Sequence, residues 1–207
     1  VLIFAQNSRS FLLTMIAVHK RGAIFVPINT ELKGDFLRHQ MRVIRPRVVV
    51  VDAGLRGVFD SVDIADLPIE TTVVIGGDAP PLPGTNRVAF EVIADSVAQP
   101  ADVILAKPHD ICTIMFTSGT TGPSKGVLMP HAHCYLFGYG AGRAMSLTDE
   151  DRMFICMPFF HAMGLTIQFT SCLIKGTPAH IVQRFSATTW LDDVRRCKAT
   201  ITYGLGV

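Results

Sequence analysis

Long apolar runs are missing from this 207-residue chain: no stretch reaches the roughly 18–20 uncharged residues that a membrane-spanning helix needs. No charged segment followed by an apolar one marks a secretory leader either. Charged residues are scarce, 17% against 49% hydrophobic, which excludes a disordered chain and indicates a globular one. The formal net charge of +2 argues neither for nor against a polyanionic partner, and no nucleic acid is expected. The five cysteines (Cys112, Cys134, Cys156, Cys172, Cys197) contain no C-x-x-C pair. Most fall in apolar contexts, so they read as buried, reduced thiols of an intracellular, cytoplasmic protein.

What is present alternates between two hydrophobic periods. Residues 1–5, 24–28, 47–51 and 72–75 read as short strands. Ser8 can cap a helix running to about Lys20, with Gly22 as its stop. Thr30 starts a second helix, to about Ile44, in which Leu32, Phe36 and Val43, with Leu37, Met41 and Ile44 beside them, fit the helical period. Its charges suit the helix dipole, with Glu31 and Asp35 early and Arg38, Arg42 and Arg45 late. Those arginines read as a solvated face rather than a nucleic-acid stripe, because no aromatics interleave them. Residues 76–83 are a loop and 99–108 a connector. Further on, 131–145 reads as helix, 153–157 as strand, 162–174 as an apolar buried helix, 179–182 as strand, 186–197 as helix and 200–202 as strand. Strands alternating with helices predict an α/β fold of parallel-sheet layers covered by helices through right-handed crossovers.

One run stands out: Ile111-Cys-Thr-Ile-Met-Phe-Thr-Ser-Gly-Thr-Thr-Gly-Pro-Ser-Lys-Gly126. A buried strand empties into a loop of hydroxyls, glycines and one lysine. Gly119, Gly122 and Gly126 let the backbone turn tightly and approach a ligand, and successive backbone N–H groups can form an anion-binding concavity. Thr117, Ser118, Thr120, Thr121 and Ser124 add hydroxyls, and Lys125 adds a mobile point charge suited to phosphate. The loop is not a Walker A loop, which needs G-x-x-x-x-G-K-[ST] opening into a helix. Here Lys125 is followed by Gly126 and a short extended segment closed by Pro130. A phosphate-hydrolysing NTPase is disfavoured on that spacing, and no acidic strand end offers itself for Mg²⁺.

Other candidates are weaker. His131 and His133 form an H-x-H pair, but on a helix such residues point about 200° apart and no carboxylate or thiol joins them, so no metal site is expected. Asp149, Glu150 and Asp151 read as a solvated turn, and no Ser-His-Asp arrangement is supported. His161 follows Pro158-Phe-Phe at a strand-to-helix corner, where side chains of α/β folds often face a ligand.

The run 117–126 resembles the phosphate-loop signature of the adenylate-forming enzymes, the AMP-dependent synthetases and ligases. Three further stretches are similar in order and spacing: Lys20-Arg-Gly-Ala-Ile-Phe-Val-Pro-Ile-Asn29, Met157-Pro-Phe-Phe-His-Ala-Met-Gly164 and Ala199-Thr-Ile-Thr-Tyr203. The resemblance covers essentially the whole chain and is nearest to the acyl-CoA synthetase branch, which serves fatty-acid metabolism. It implies ATP, Mg²⁺ and coenzyme A as cofactors and a small carboxylic acid as substrate. It implies that Thr117, Ser118, Gly119, Thr120, Thr121, Gly122, Pro123, Ser124 and Lys125 hold the β- and γ-phosphates. Lys125 and His161 are then the catalytic candidates, His161 in the acyl and adenylate pocket. Peptide-synthetase relatives typically carry an aspartate near this corner for an α-amino group; Phe159-Phe160-His161 offers none, so an acid without one is implied. The resemblance further implies that residues 1–207 are part of a large N-terminal adenylation domain. Its adenine-stacking motif, ribose-binding aspartate and C-terminal lid would lie beyond Val207, and both chain ends read as cut through a fold. The rival expectation is a non-catalytic remnant or interaction module that retains the loop.

Overall fold

The computed structural model describes residues 1–96, 103–117 and 123–204, in two compact units. The first contains residues 1–5 and 9–129; the second contains residues 6–8 and the chain from Pro130 onward.

In the first unit β1 (Leu2–Phe4) leads through α1 (Arg9–Lys20) to β2 (Val26–Pro27). Then follow α2 (Gly34–Ile44), β3 (Val48–Asp52), a 3-10 segment (Ala53–Ser61), β4 (Thr71–Ile75), β5 (Asn86–Ala89) and α3 (Phe90–Ala94). The strands form a parallel sheet in the order β2-β1-β3-β4-β5. β1 has apolar neighbours on both sides and is fully buried, which is why it and β3 read as continuous apolar runs instead of alternating ones. Leu37 and Met41 of α2 pack into the same core as Leu2, Phe4, Val26, Ile28, Val49 and Val51.

β6 (Ile111–Phe116) and β7 (Gly126–Pro130) form a two-stranded hairpin. It docks on the free edge of β2 by one parallel bridge, Phe25 to Thr113: Phe25 N–H donates to Cys112 O at 2.8 Å, and Ile114 N–H donates to Phe25 O at 3.0 Å. The next ladder bond in that register would need an N–H from residue 27. Pro27 has none, so the pairing stops after one bridge.

The second unit runs α4 (His131–Ala144), β8 (Met153–Ile155), a π-helical segment (Met163–Phe169) that continues into α5 (Thr170–Lys175), β9 (Ala179–Ile181), α6 (Trp190–Arg196) and β10 (Ile201–Thr202). Its parallel sheet has the order β10-β8-β9. Among the described residues no helix is long and apolar enough to cross a membrane.

Several expectations need correction. The second helix begins at Gly34 rather than Thr30, because the Asn29 side chain accepts the Glu31 N–H at 2.9 Å and holds the chain in a turn. Glu31 therefore lies outside the first helical turn, which carries Asp35 alone among acidic residues. Of the two apolar rows on α2, the core takes Leu37 and Met41; Phe36 and Val43 are 78% and 54% exposed. Arg38 and Arg42 are ion-paired with Asp63 at 2.6 Å and Asp66 at 2.5 Å, which fits a solvated face. The helix expected over 162–174 is π-helical in its first half. The one expected from Ser186 starts at Trp190, after a turn in which Ser186 O accepts the Thr189 and Trp190 N–H groups.

Candidate functional site

The candidate region of the first unit is the mouth of the β6–β7 hairpin. Thr117 N–H donates to Lys125 O at 3.0 Å, and Cys112 Sγ lies 3.4 Å from Met129 O, so the register runs antiparallel. Thr117 Oγ1 also meets the Lys125 N–H and carbonyl at 3.4 and 3.5 Å. Gly126 is favoured locally, since a Cβ there would fall 2.9 Å from Ile114 Cγ2 and that side chain would have to shift. Thr117, Pro123 and Lys125 are exposed and Ser124 is half-buried. Ser118, Gly119, Thr120, Thr121 and Gly122 lie outside the described residues. Two side chains of α2 reach the exit of the loop. His39 Nε2 lies 3.0 Å from Ser124 O, and Gln40 Nε2 donates to Ser124 Oγ at 3.0 Å. Behind the hairpin, His19 Nε2 contacts Thr113 Oγ1 at 3.3 Å.

His161 belongs to the second unit, at the corner between β8 and the π-helical segment. Its N–H donates to Pro158 O at 3.1 Å and its carbonyl accepts from Leu165 N–H at 3.1 Å, closing the turn into the helix. The ring is exposed on one side and lies 4.6 Å from the Phe160 ring. Partial desolvation pushes its pKa below the ordinary histidine value, favouring the neutral imidazole. Two features fix the corner. Asn7 accepts the Phe159 N–H at 2.8 Å and donates to Met157 O at 2.9 Å, with Val182 O at 3.4 Å. A Cβ on Gly164 would come within 2.5 Å of Pro158 O and 2.6 Å of Met157 O, so only glycine lets the helix rest on those carbonyls. That contact is the physical reason for the glycine closing Met157-Pro-Phe-Phe-His-Ala-Met-Gly164. Beside the corner, Leu136, Phe137 and Ala141 of α4, Met163 and Ile167 of the π-helical segment, and Tyr203 line an open, largely apolar groove of about 580 Å³.

A model of the AMP-binding enzyme family matches residues 1–206. The chain belongs to that family. It is 29% identical over 186 residues to a 3-[(3aS,4S,7aS)-7a-methyl-1,5-dioxo-octahydro-1H-inden-4-yl]propanoyl:CoA ligase of Rhodococcus jostii, covering 85% of this chain and 36% of that protein. It is 27% identical to the medium/long-chain-fatty-acid–CoA ligase FadD6 of Mycobacterium tuberculosis, over 99% of this chain and 33% of the relative. The fold matches a long-chain-fatty-acid-CoA ligase, FadD1, from Archaeoglobus fulgidus with TM-score 0.85 at 23% identity, covering 97% of this chain and 38% of that one. It also matches an o-succinylbenzoate CoA synthetase of Bacillus subtilis in complex with its acyl-adenylate intermediate, TM-score 0.76 at 21% identity, over 97% of this chain and 47% of that one. The chain thus spans about a third to two-fifths of the length of the curated relatives it matches.

Within this member of the AMP-binding enzyme family, residue-by-residue reading of the sequence missed Asn7, His39 and Gln40. Asn7 had a usable signal, a carboxamide directly after a buried strand. Gln40 had another, a polar residue in the row of Leu37, Met41 and Ile44. No group of three or more His, Cys, Asp or Glu side chains that could hold a metal occurs among the described residues. The His133 ring lies tilted at 51° against Phe137, ring centres 4.7 Å apart.

Proposed function

We propose that these 207 residues are part of the large N-terminal adenylation domain of an ATP-dependent acid–thiol ligase of the acyl-CoA synthetase type. The substrate carboxylate attacks the α-phosphorus of MgATP, the bond to the β-phosphate oxygen breaks, and acyl-adenylate and pyrophosphate form. The thiol of coenzyme A then attacks the acyl carbon and AMP leaves. Magnesium enters this reading as part of the nucleotide substrate.

The first step brings two anions together, so positioning and charge neutralisation must carry it. The observation that supports this best is the hairpin mouth. Lys125 is exposed there at the end of a strand register that fixes its backbone, and no carboxylate is paired with its ammonium group among the described residues. In this reading Thr117, Ser118, Gly119, Thr120, Thr121, Gly122, Pro123, Ser124 and Lys125 hold the β- and γ-phosphates. His161, whose neutral form is favoured by partial desolvation, lines the acyl pocket. The apolar groove beside its corner has a volume within the usual range for small-molecule sites. Phe159-Phe160-His161 offers no carboxylate for an α-amino group, which favours a plain carboxylic acid.

The experiment is product analysis. The full-length protein, given MgATP, coenzyme A and a panel of carboxylic acids, should release AMP and pyrophosphate and form a thioester. ADP and orthophosphate as the nucleotide products would overturn the reading. The 207-residue chain assayed alone should form no thioester above background, and turnover from a monodisperse sample would show that it suffices by itself.

A further inference from the structure

The core-facing row of α2 contains one residue that hydropathy alone would not place there. Leu37, Gln40, Met41 and Ile44 follow i, i+3, i+4, i+7 spacing, and Gln40 is 5% exposed between the fully buried Leu37 and Met41. A buried amide is costly unless it is hydrogen-bonded. The Gln40 side-chain carbonyl has no partner, so the satisfaction of this amide rests on its bond to Ser124 Oγ. The neighbouring His39 takes the other polar group of the same residue. A carbonyl only accepts, so His39 Nε2 carries the proton and donates it to Ser124 O.

The direction of the Gln40 bond has a chemical consequence. A serine hydroxyl has one hydrogen and two lone pairs. With a lone pair occupied by the Gln40 N–H, the Ser124 hydrogen turns away from α2. Among the described residues it meets no acceptor, and the adjacent Lys125 ammonium meets no carboxylate. Two donors are therefore left side by side at the loop exit, one oriented by a buried side chain.

We propose that Gln40 and His39 are positioning residues that fix Ser124 so that its hydroxyl donates to a phosphoryl oxygen of the bound nucleotide, beside Lys125. This rests on the reading of residues 117–125 as a phosphate loop. A leucine or methionine at position 40 would fill the same core space but leave the Ser124 hydroxyl free to rotate. The amide thus gives the site orientation at the cost of a buried polar group.

The test uses the full-length protein, ATP–pyrophosphate exchange and direct ATP titration. Gln40→Met keeps the volume and removes the bond; Ser124→Ala removes the hydroxyl; Ser124→Thr keeps it. Ser124→Ala should raise the KM for ATP about ten- to a hundredfold, the loss of one hydrogen bond to a charged group, and Gln40→Met should raise it by no more than that. The KM for the acid and the rate of thioester formation from a synthetic acyl-adenylate should not change. Ser124→Thr should restore ATP use to within about twofold, and Gln40→Met should add no further loss in the Ser124→Ala background, the mark of two residues acting as one. Additive losses would overturn the proposal, as would a Ser124→Ala enzyme with unchanged KM for ATP where Lys125→Ala raises it. If Lys125→Ala itself leaves ATP use unaltered, the phosphate-loop reading falls first. Should Gln40→Met fail to fold, Ser124→Ala and Ser124→Thr decide the question.

Discussion

The two candidate regions, the hairpin mouth of the first unit and the His161 corner of the second, are held in opposite ways. At the hairpin mouth the Thr117 hydroxyl meets the Lys125 backbone at 3.4 and 3.5 Å, and Thr117, Pro123 and Lys125 are exposed. At the His161 corner a side chain only 7% exposed makes bonds of 2.8 and 2.9 Å, and a glycine rests directly on two carbonyl oxygens. The first arrangement is tight along the backbone, where Thr117 N–H meets Lys125 O at 3.0 Å, and at Ser124, and loose at the Thr117 hydroxyl. The second is a wall whose backbone, from Met157 to Gly164, is fixed by the protein's own contacts. The lesson concerns where rigidity is placed: polar groups that must exchange partners stay half-satisfied at the surface, while the groups that shape a pocket are satisfied by the protein itself.

The largest effect expected from this contrast is Gly164→Ala. The atoms it would strike are backbone oxygens that cannot swing aside, so a loss of about 3 kcal/mol, the upper end for overpacking, should appear in chemical denaturation. Gly126→Ala would strike a side-chain tip, Ile114 Cγ2, and should cost about 1 kcal/mol; equal costs at the two glycines would break the comparison. Lys125→Ala should slow adenylate formation about ten- to a hundredfold, one charged contact of roughly 1.5–3 kcal/mol. The melting behaviour should hardly move, because the side chain is exposed. Loss of stability in step with activity would mean that the hairpin mouth is structural after all. Asn7→Ala strands the Phe159 N–H and the Met157 carbonyl, so about 1–3 kcal/mol of stability should be lost. Unchanged unfolding would show that the corner stands without it.

The smallest effect belongs to His161. Its folded pKa lies below the unfolded value of 6.5, so the unfolded state binds the proton more readily. Its contribution to stability is present above pH 6.5 and is lost as pH falls through the folded value. A ring-proton NMR titration with a midpoint at or above 6.5 would contradict the desolvated environment. His161→Ala should shift the acid profile while ATP affinity stays within a few-fold; the reverse pattern would remove His161 from the acyl pocket.

Much of the frame was legible because β3 and β4 are runs of β-branched residues and the helices carry clear apolar rows. The parts that were not legible depend on partners far along the chain. β5 is a half-exposed edge strand, made a strand by pairing with β4 rather than by its own composition, and the 3-10 segment has no period of its own to read. On α2 two apolar rows satisfied the helical period equally, and only the sheet beneath decided between Phe36 with Val43 and Leu37 with Met41. The loop itself was visible as composition. Its support was not, since Gln40 lies 84 residues from Ser124 and Asn7 lies 152 from Phe159.

The single bridge at Phe25 also divides one strand between two protection classes in hydrogen exchange. The amides of Val26 and Ile28 point toward β1 and donate to Val1 O and Ile3 O, so they open only with the sheet. The amide of Phe25 points the other way and, with that of Ile114, is held solely by the docking of the hairpin. Pro27 contributes no amide to either side. Neighbouring positions on β2 therefore report separate events, and exchange at Phe25 and Ile114 measures the free energy of undocking the hairpin from an intact sheet.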